Sequence, residues 1–451
     1  MKKSSIRRNL FSLVLIVFGI QAVAQQQPQP QLHRFSVKES IDYATKNSAQ
    51  VKNALLNYKV QEQVNRSITS EALPQVSGSI AFTDNLILPT SLVPGEFAGQ
   101  APGTFIPIKF GTQYNTAIGV TLKQVLFDGE VFVGLQARST ALAYAQKSTE
   151  ITEQNIRVNI YKVYYQLVLS KAQMELIDDN IARAEELLHN TTEMFKNGFS
   201  EKLDVDKASV QLANLLTEKV QTNFTIETGY LGLKVLLGMP IRDSLVLTDS
   251  LTYEMVSNAS LNENDYQYTD RRDFQLLGLN RDLNEFDLKR YRKLYLPSVS
   301  VNAGLNTNAY RTKFDIFGPG MWFPASYLGL SISVPIFDGL YKDANIQKAK
   351  LTLRQTENQM DALKISIDDE VKEAQLRFAA AMATLNFQKK NMDLAESVYN
   401  QTRKKYEQGV GSNTEITSAE SDLKQAQTNY IQALYNTVIA KIDYQNAIGK
   451  I

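Results

Sequence analysis

Two histidines and no cysteine are all that this chain of 451 residues offers for nucleophilic or metal chemistry. His33 lies in a polar N-terminal stretch and His189 in a helical heptad pattern, and neither stands at the spacing of a metal site or a catalytic triad. No catalytic residue, metal or cofactor is expected. The acidic groups come in runs, Asp178-Asp179 and Asp368-Asp369-Glu370. Consecutive helical positions splay around the helix surface, whereas acid–base work needs two carboxyls face to face, so solvated helix faces account for these runs. Lys289-Arg290 with Arg292-Lys293 has the charge to meet lipid phosphates, or to complement the end of a helix. With 48 basic and 47 acidic residues the formal charge is +1, which gives no field to collect nucleic acid. No nucleic-acid partner is expected.

Polar residues of a different kind flank two glycine breaks in long helical patterns, one at Gly198 and one at Gly409. Asp204 follows the first glycine by six positions, Glu415 follows the second by six, and Tyr406 precedes the second by three. As isolated residues the two acids read as first-turn helix acids favoured by the helix dipole. Anything more depends on what holds the two breaks.

The chain begins with Lys2, Lys3, Arg7 and Arg8, an apolar run from Leu10 to Ile20, and Ala22-Val23-Ala24. That is the pattern of an export signal over residues 1–24. A Gln/Pro-rich stretch to Gln31 reads as a flexible mature start. No later stretch holds about 18 uninterrupted apolar residues, so a membrane crossing would have to be made by strands.

The rest divides into repeat 1 over 25–240, a connector over 241–265 and repeat 2 over 266–451. In repeat 1, Ser36 and Glu39 form an S-x-x-E capping box that opens a helix over about 36–72. Pro74 stops it, and two alternating runs within about 74–127 read as a strand pair with a Pro-rich loop between them. Helices follow over about 130–196 and 200–238, the first on the order of 100 Å long if continuous. Its residues Ile160, Leu167, Met174, Ile181, Leu188 and Phe195, with Val163, Ile177 and Ala184 between them, form a coiled-coil seam. Repeat 2 has the same order: a helix over about 266–295, strands within about 297–337, and helices over about 338–406 and 412–449.

The two halves are in register. Gly339 follows Gly129 by 210 positions, while Gly409 follows Gly198 and Gly449 follows Gly238 by 211. The first heptad maps onto Val371, Phe378, Leu385, Met392, Tyr399 and Tyr406, all apolar or aromatic. Agreement at this many positions marks a duplication. Its best-repeated short strings are Phe127-Asp128-Gly129 and Phe337-Asp338-Gly339, each at the joint where strand period becomes helix period. There glycine permits a sharp turn and Asp128 or Asp338 is placed to cap the helix.

Each strand pair has one apolar face and one small, polar face, as a membrane strand or the edge of a soluble sandwich would. Trp322, Phe323 and Tyr327 open the fourth strand, where an interfacial aromatic girdle would sit. Export, strand length and the smallness of the polar face favour the membrane. Four strands cannot close on themselves, and an open edge in lipid is costly, so a barrel would be shared between chains.

The export signal, the helix–strand–strand–helix duplication, the doubled Phe-Asp-Gly joints, Arg271-Arg272-Asp273-Phe274 and the Tyr406 to Gly409 break together resemble the TolC family of outer-membrane efflux proteins. The resemblance implies an α+β membrane protein: a homotrimer forming a twelve-stranded outer-membrane β-barrel, continued by a long coiled-coil helical barrel in the periplasm of a Gram-negative bacterium. It implies a passive exit duct for small molecules or proteins, contacting outer-membrane lipid, a periplasmic adaptor protein and an inner-membrane transporter of RND or ABC type. The turns from Lys196 to Asp206 and from Lys405 to Ser418 would close the periplasmic mouth. By position Asp204 and Tyr406 would be hydrogen-bonding latch partners, and Glu415 would face the lumen as part of an acidic ring. Gly411 stands where the family can carry a latch arginine, and Ser418 where it can carry a second lumen acid. The competing reading is a soluble periplasmic coiled-coil adaptor or scaffold without channel activity.

Overall fold

A computed structural model describes residues 30–257 and 266–451. The expected export signal and residues 258–265 of the expected connector lie outside the described residues. The chain forms two compact units. Among the described residues, one contains the chain up to Ala49, residues 156–257 and Phe378–Ile442; the other contains Gln50–Asn155, residues 266–377 and Asp443–Ile451.

In the first unit, β1 (Leu32–Phe35) pairs in parallel with β6 (Ser244–Leu247). Neither strand was visible in the sequence, because four residues are too few to display a period. They add detail to two stretches: the N-terminal stretch holding His33 is a strand, and the connector contains a short one. His33 Nε2 lies 3.4 Å from Asp243 Oδ2 beside this pairing. Leu245 and Leu247 are buried, which is the alternation a half-covered strand requires.

The capping box forms as Ser36 and Glu39 imply: Glu39 Oε2 accepts from the Ser36 amide at 2.7 Å, and Ser36 Oγ accepts from the Glu39 amide at 3.3 Å. The helix it opens is not continuous to residue 72. α1 (Val37–Asn47) ends at Ser48, which is extended with φ −56° and ψ 131°, and α2 (Ala49–Glu71) restarts after it. Asn47 turns its side-chain amide back onto the Tyr43 carbonyl at 3.1 Å. Asn and Ser side chains compete with the backbone for its own partners, which explains a break at this pair.

Four longer helices carry the heptads: α3 (Gly129–Lys196), α4 (Lys202–Leu237), α6 (Tyr341–Glu407) and α7 (Asn413–Ala447). The second-repeat seam is buried at Val371, Phe378, Leu385, Tyr399 and Tyr406. The first-repeat seam slips as it nears its turn. Ile160, Leu167, Ile177, Ile181 and Ala184 are buried, but then Leu187 and Thr191 take over, while Phe195 is 43% exposed. An α-helix turns at 3.6 residues, so a strict seven-residue stripe drifts around it unless the helix supercoils.

The second unit contains an antiparallel sheet in the order β2 (Gln75–Asp84), β5 (Tyr114–Phe127), β7 (Ser298–Arg311), β8 (Phe323–Ser333). Between β2 and β5 the Pro-rich loop folds into a small hairpin of its own, β3 (Thr90–Pro94) with β4 (Phe105–Lys109). In register, Val76, Leu122, Ala303 and Leu328 lie across one face, and Ser77, Thr121, Gly304 and Tyr327 across the other. Every residue of the edge strands β2 and β8 is exposed. Among the described residues, no helix is long and apolar enough to cross a membrane.

The aromatics expected to form a girdle do not lie on the apolar face. Phe323 and Tyr327 pair with Asn308 and Gly304, which puts them on the small, polar face, where Tyr327 fills the space a Gly304 side chain would take. The apolar face carries instead Phe82, Tyr114 and Phe314, with ring centroids 5.5 to 6.0 Å apart. At the other end of β5 a bulge between Val125 and Phe127 turns Phe127 onto this face.

The acidic runs do more than meet solvent. Asp368 accepts from the Tyr266 and Tyr268 hydroxyls at 2.6 and 3.0 Å. Glu370 pairs at 2.8 Å with Arg271, which is buried ahead of α5 (Arg272–Lys293) and also donates to the Ala447 carbonyl at 2.9 Å.

The two joints have diverged. Asp128 Oδ1 accepts from the Glu130 amide at 2.8 Å, and α3 starts at Gly129 itself. A Cβ on Gly129 would stand 2.7 Å from the Lys293 carbonyl oxygen, so this glycine is needed for close approach. Asp338 Oδ2 accepts from the Lys342 amide at 3.1 Å, but β8 has ended at Ser333 and α6 begins only at Tyr341. Gly339 and Leu340 between them are left-handed, with φ 67° and 69°, and a Cβ on Gly339 would meet nothing within 4 Å. Asparagine tolerates the left-handed region but not a backbone collision. Gly339→Asn is therefore expected to leave thermal unfolding of the detergent-purified protein nearly unchanged by circular dichroism, and Gly129→Asn to lower its midpoint clearly.

Candidate functional site

The turns of the two helical hairpins are built alike. α3 ends in a left-handed Gly198, φ 78°, with the Phe199 amide returning to the Met194 carbonyl at 2.8 Å. α6 ends in a left-handed Gly409, φ 75°, with the Val410 amide returning to the Lys405 carbonyl at 3.0 Å. Each glycine closes a Schellman-type cap, and each is followed by an exposed apolar residue, Phe199 at 79% and Val410 at 72%.

Tyr406 sits in the apolar cluster that joins the hairpins, with Leu187 of α3, Tyr399 of α6, and Ile416, Ala419 and Leu423 of α7. Its hydroxyl lies 3.1 Å from Thr191 Oγ1 of α3, and Thr191 is fully buried. Asp204, in the first turn of α4, takes other partners. Its Oδ2 accepts from Ser200 Oγ at 3.1 Å, and Lys207 Nζ approaches Oδ1 at 3.9 Å. The Asn413 side chain of α7 does most to hold the Asp204 carboxyl below its ordinary value of 3.8; burial opposes it, and Ser200 and Lys207 add to it. The resulting stabilisation is present above the ordinary value and lost as pH falls through the lowered one. The structure thus does not bring Asp204 and Tyr406 together. Each instead faces a neighbour on the other hairpin, Asn413 for Asp204 and Thr191 for Tyr406, that no sequence motif marks. Thr191 was within reach, because it stands one heptad beyond Ala184.

Glu415 occupies the third position of α7, where its amide donates to Ser412 Oγ at 3.2 Å. Its carboxylate lies 3.5 Å from Lys405 Nζ, both side chains being more than half exposed. Gly411 lies against the end of α6, where a Cβ would come 2.9 Å from the Tyr406 backbone nitrogen, so the turn has no room for a longer side chain there without shifting. Beside the turns is a cleft of about 560 Å3 lined by Asn190, Glu193, Met194, Phe199, Tyr406, Glu407 and Gly409. Among the described residues no group of three or more His, Cys, Asp or Glu could hold a metal. The arrangement is a mechanical one: two stiff hairpins with capped tips, joined by a few buried polar contacts.

Comparison with known proteins bears on what such hairpins serve. The family model described as "Outer membrane efflux protein" matches residues 270–450. The outer membrane protein TolC of Vibrio cholerae is 19% identical over 333 residues, covering 73% of this chain and 76% of that protein. The proteases secretion protein PrtF of Dickeya chrysanthemi is 19% identical over 336 residues, covering 73% and 72%. In fold, the chain matches the solved structure of CusC with a TM-score of 0.75 at 16% identity, over 92% of each chain. These likenesses agree with the resemblance carried by the duplicated hairpins and joints: the chain matches the outer membrane efflux protein model over residues 270–450 and is similar to TolC over 73% of its length.

Proposed function

We propose that three copies close side by side into one duct, in which the sheet of each supplies four strands of a twelve-stranded barrel. The observation that carries this reading is the pair of bare edges, β2 and β8, exposed along their whole length. Unpaired edge groups cost several kcal/mol each in lipid, and pairing β8 of one copy with β2 of the next removes them all. The face turned outward is the one carrying Val76, Ile80, Leu305, Leu328 and Leu330, each more than 60% exposed in the single chain. Along β5 the aromatics Tyr114 and Phe127 stand 13 residues apart, about 44 Å of strand. Tilted by about 45°, this spans about 30 Å, the height of an apolar band with its girdles.

The helices show the same incompleteness. α4 exposes Val220, Phe224 and Val235, and α6 exposes Phe387, Leu394 and Val398, at coiled-coil spacing. A neighbouring copy covers these stripes, as it covers the sheet edges. The competing reading, a soluble scaffold, accounts for the helical stripes but not for an apolar sheet face opposite a small, polar one.

The duct is passive: a periplasmic adaptor and an inner-membrane transporter of RND or ABC type supply recognition and energy, and the chain supplies a water-filled path with a mouth. Gating takes place at the hairpin turns. The links that hold the mouth are Thr191 to Tyr406 and Asp204 to Asn413, replacing the expected Asp204 to Tyr406 pair. Three Glu415 side chains face the lumen beyond them. Like charges around a narrow waist favour cations.

Two measurements test this. Purified in detergent, the protein is expected to have the mass of three copies, and Phe224→Asp or Leu394→Asp to yield single chains; a wild-type monomer released from membranes by high salt alone would overturn the trimeric barrel. In a planar bilayer, Glu415→Ala is expected to reduce cation selectivity of the single channel, and an unchanged recording would remove Glu415 from the mouth.

A further inference from the structure

Above the turns, α3, α4 and α7 line a partly open cleft of about 320 Å3 whose polar lining includes Asn180, Lys207, Gln211, Thr417, Glu420 and Lys424. Glu420 of α7 is 3% exposed. Its Oε2 accepts from Gln211 Nε2 of α4 at 3.0 Å. The remaining oxygens of both side chains, Glu420 Oε1 and Gln211 Oε1, are buried without a protein partner. Buried polar atoms are nearly always paired, and two orphaned acceptors on two side chains already joined by one hydrogen bond call for a specific explanation.

The charges around them do not supply it. From α3, Arg183 donates to Asn180 Oδ1 at 2.6 Å and lies over the Tyr399 ring of α6 at 5.8 Å. Glu186 of α3 pairs at 2.7 Å with Arg403 of α6. From α4, Lys207 faces Asp204 at 3.9 Å, and Lys424 of α7 is taken by Glu218 of α4. Each lysine at the cleft thus has an acid of its own; Arg183, whose Nε is buried without a protein partner, reaches the Glu420 carboxyl by its charge, and Gln211 alone by a hydrogen bond. Burial pushes that carboxyl up from its ordinary range, with Arg183 and then Gln211 opposing.

A single proton resolves the arrangement. A carboxylic acid and a primary amide form a cyclic pair in which the amide N–H donates to the acid carbonyl and the acid O–H donates to the amide oxygen. The first of these bonds is present, and the proton of the second would satisfy both orphaned oxygens at once. We propose that Glu420 and Gln211 form a proton-operated fastener between the two helical hairpins, closed when Glu420 carries its proton and loosened when it ionises. With the proton lost, the two buried oxygens have no donor between them, and either water or a shift of the helices must satisfy them. The sign follows: a carboxyl whose folded value is raised contributes stability that is full below its ordinary 4.5 and is lost as pH rises through the raised value.

The fastener is a property of one chain, and only its effect on ion flow rests on the duct reading. The chain has no cysteine, so Ser209→Cys on α4 and Gln425→Cys on α7, both at exposed positions, place one nitroxide pair across the contact in the full-length protein. Between about pH 4 and about pH 8 the distance distribution is expected to broaden and lengthen reversibly. Glu420→Gln, which keeps both hydrogen bonds as an amide pair and cannot ionise, is expected to hold the short distribution at both values. Gln211→Leu is expected to lose it at both, with helical content by circular dichroism showing that each variant folds. A wild-type distribution indifferent to pH, or a Glu420→Gln protein that still responds, would overturn the proposal. Planar-bilayer conductance then separates the two readings. A rise with pH that Glu420→Gln abolishes ties the fastener to the mouth, whereas a responsive distance with an indifferent conductance keeps the fastener and removes it from gating.

Discussion

A β-strand at the edge of a sheet holds half its backbone polar groups out to whatever surrounds it, and this chain has two such edges on one four-stranded sheet. Water tolerates them and lipid does not. The apolar face of the sheet, its aromatic clusters, the length of the strands and the uncovered stripes on α4 and α6 all become intelligible once the edges are given partners. The duplication fits the same constraint: a helix–strand–strand–helix unit cannot cover its own sheet or its own helices, and repeating it within a chain halves the number of separate chains that must meet.

The hairpins obey a second rule. Their stiffness comes from long helices with buried seams, and apolar packing between the hairpins is supplemented by a short series of polar contacts. Thr191 with Tyr406 is neutral, Asp204 with Asn413 charged to neutral, and Glu420 with Gln211 titratable. Apolar packing sets the distance between the helices, while these contacts set the ease with which the arrangement changes. Buried polar contacts are suited to that role because each is worth little when made and costs more when half-broken.

Much of the architecture was legible in the sequence because it is periodic and occurs twice. Ser36 with Glu39 marked a helix start, Pro74 a stop, and the constant offset between Gly198 and Gly409 or Gly238 and Gly449 exposed the repeat. Short or aperiodic features were not legible. β1 and β6 have four residues each, and the break at Ser48 rests on local side-chain competition. At the turns the positions of Asp204, Tyr406 and Glu415 could be found by counting from a glycine. Their partners could not, since Thr191, Asn413 and Lys405 reach them across the fold.

The two joints carry one more consequence, concerning modularity. The Lys293 backbone packs so closely on Gly129 that no side chain fits there, so the strand-to-helix passage of the first repeat lies against the second. Gly339 and Leu340 make the corresponding passage by left-handed backbone alone, with open space around the glycine. The halves are therefore no longer interchangeable parts. The same passage is thus set by close backbone packing in one half and by two left-handed residues in the other, so a substitution tolerated at one corner is not tolerated at its counterpart.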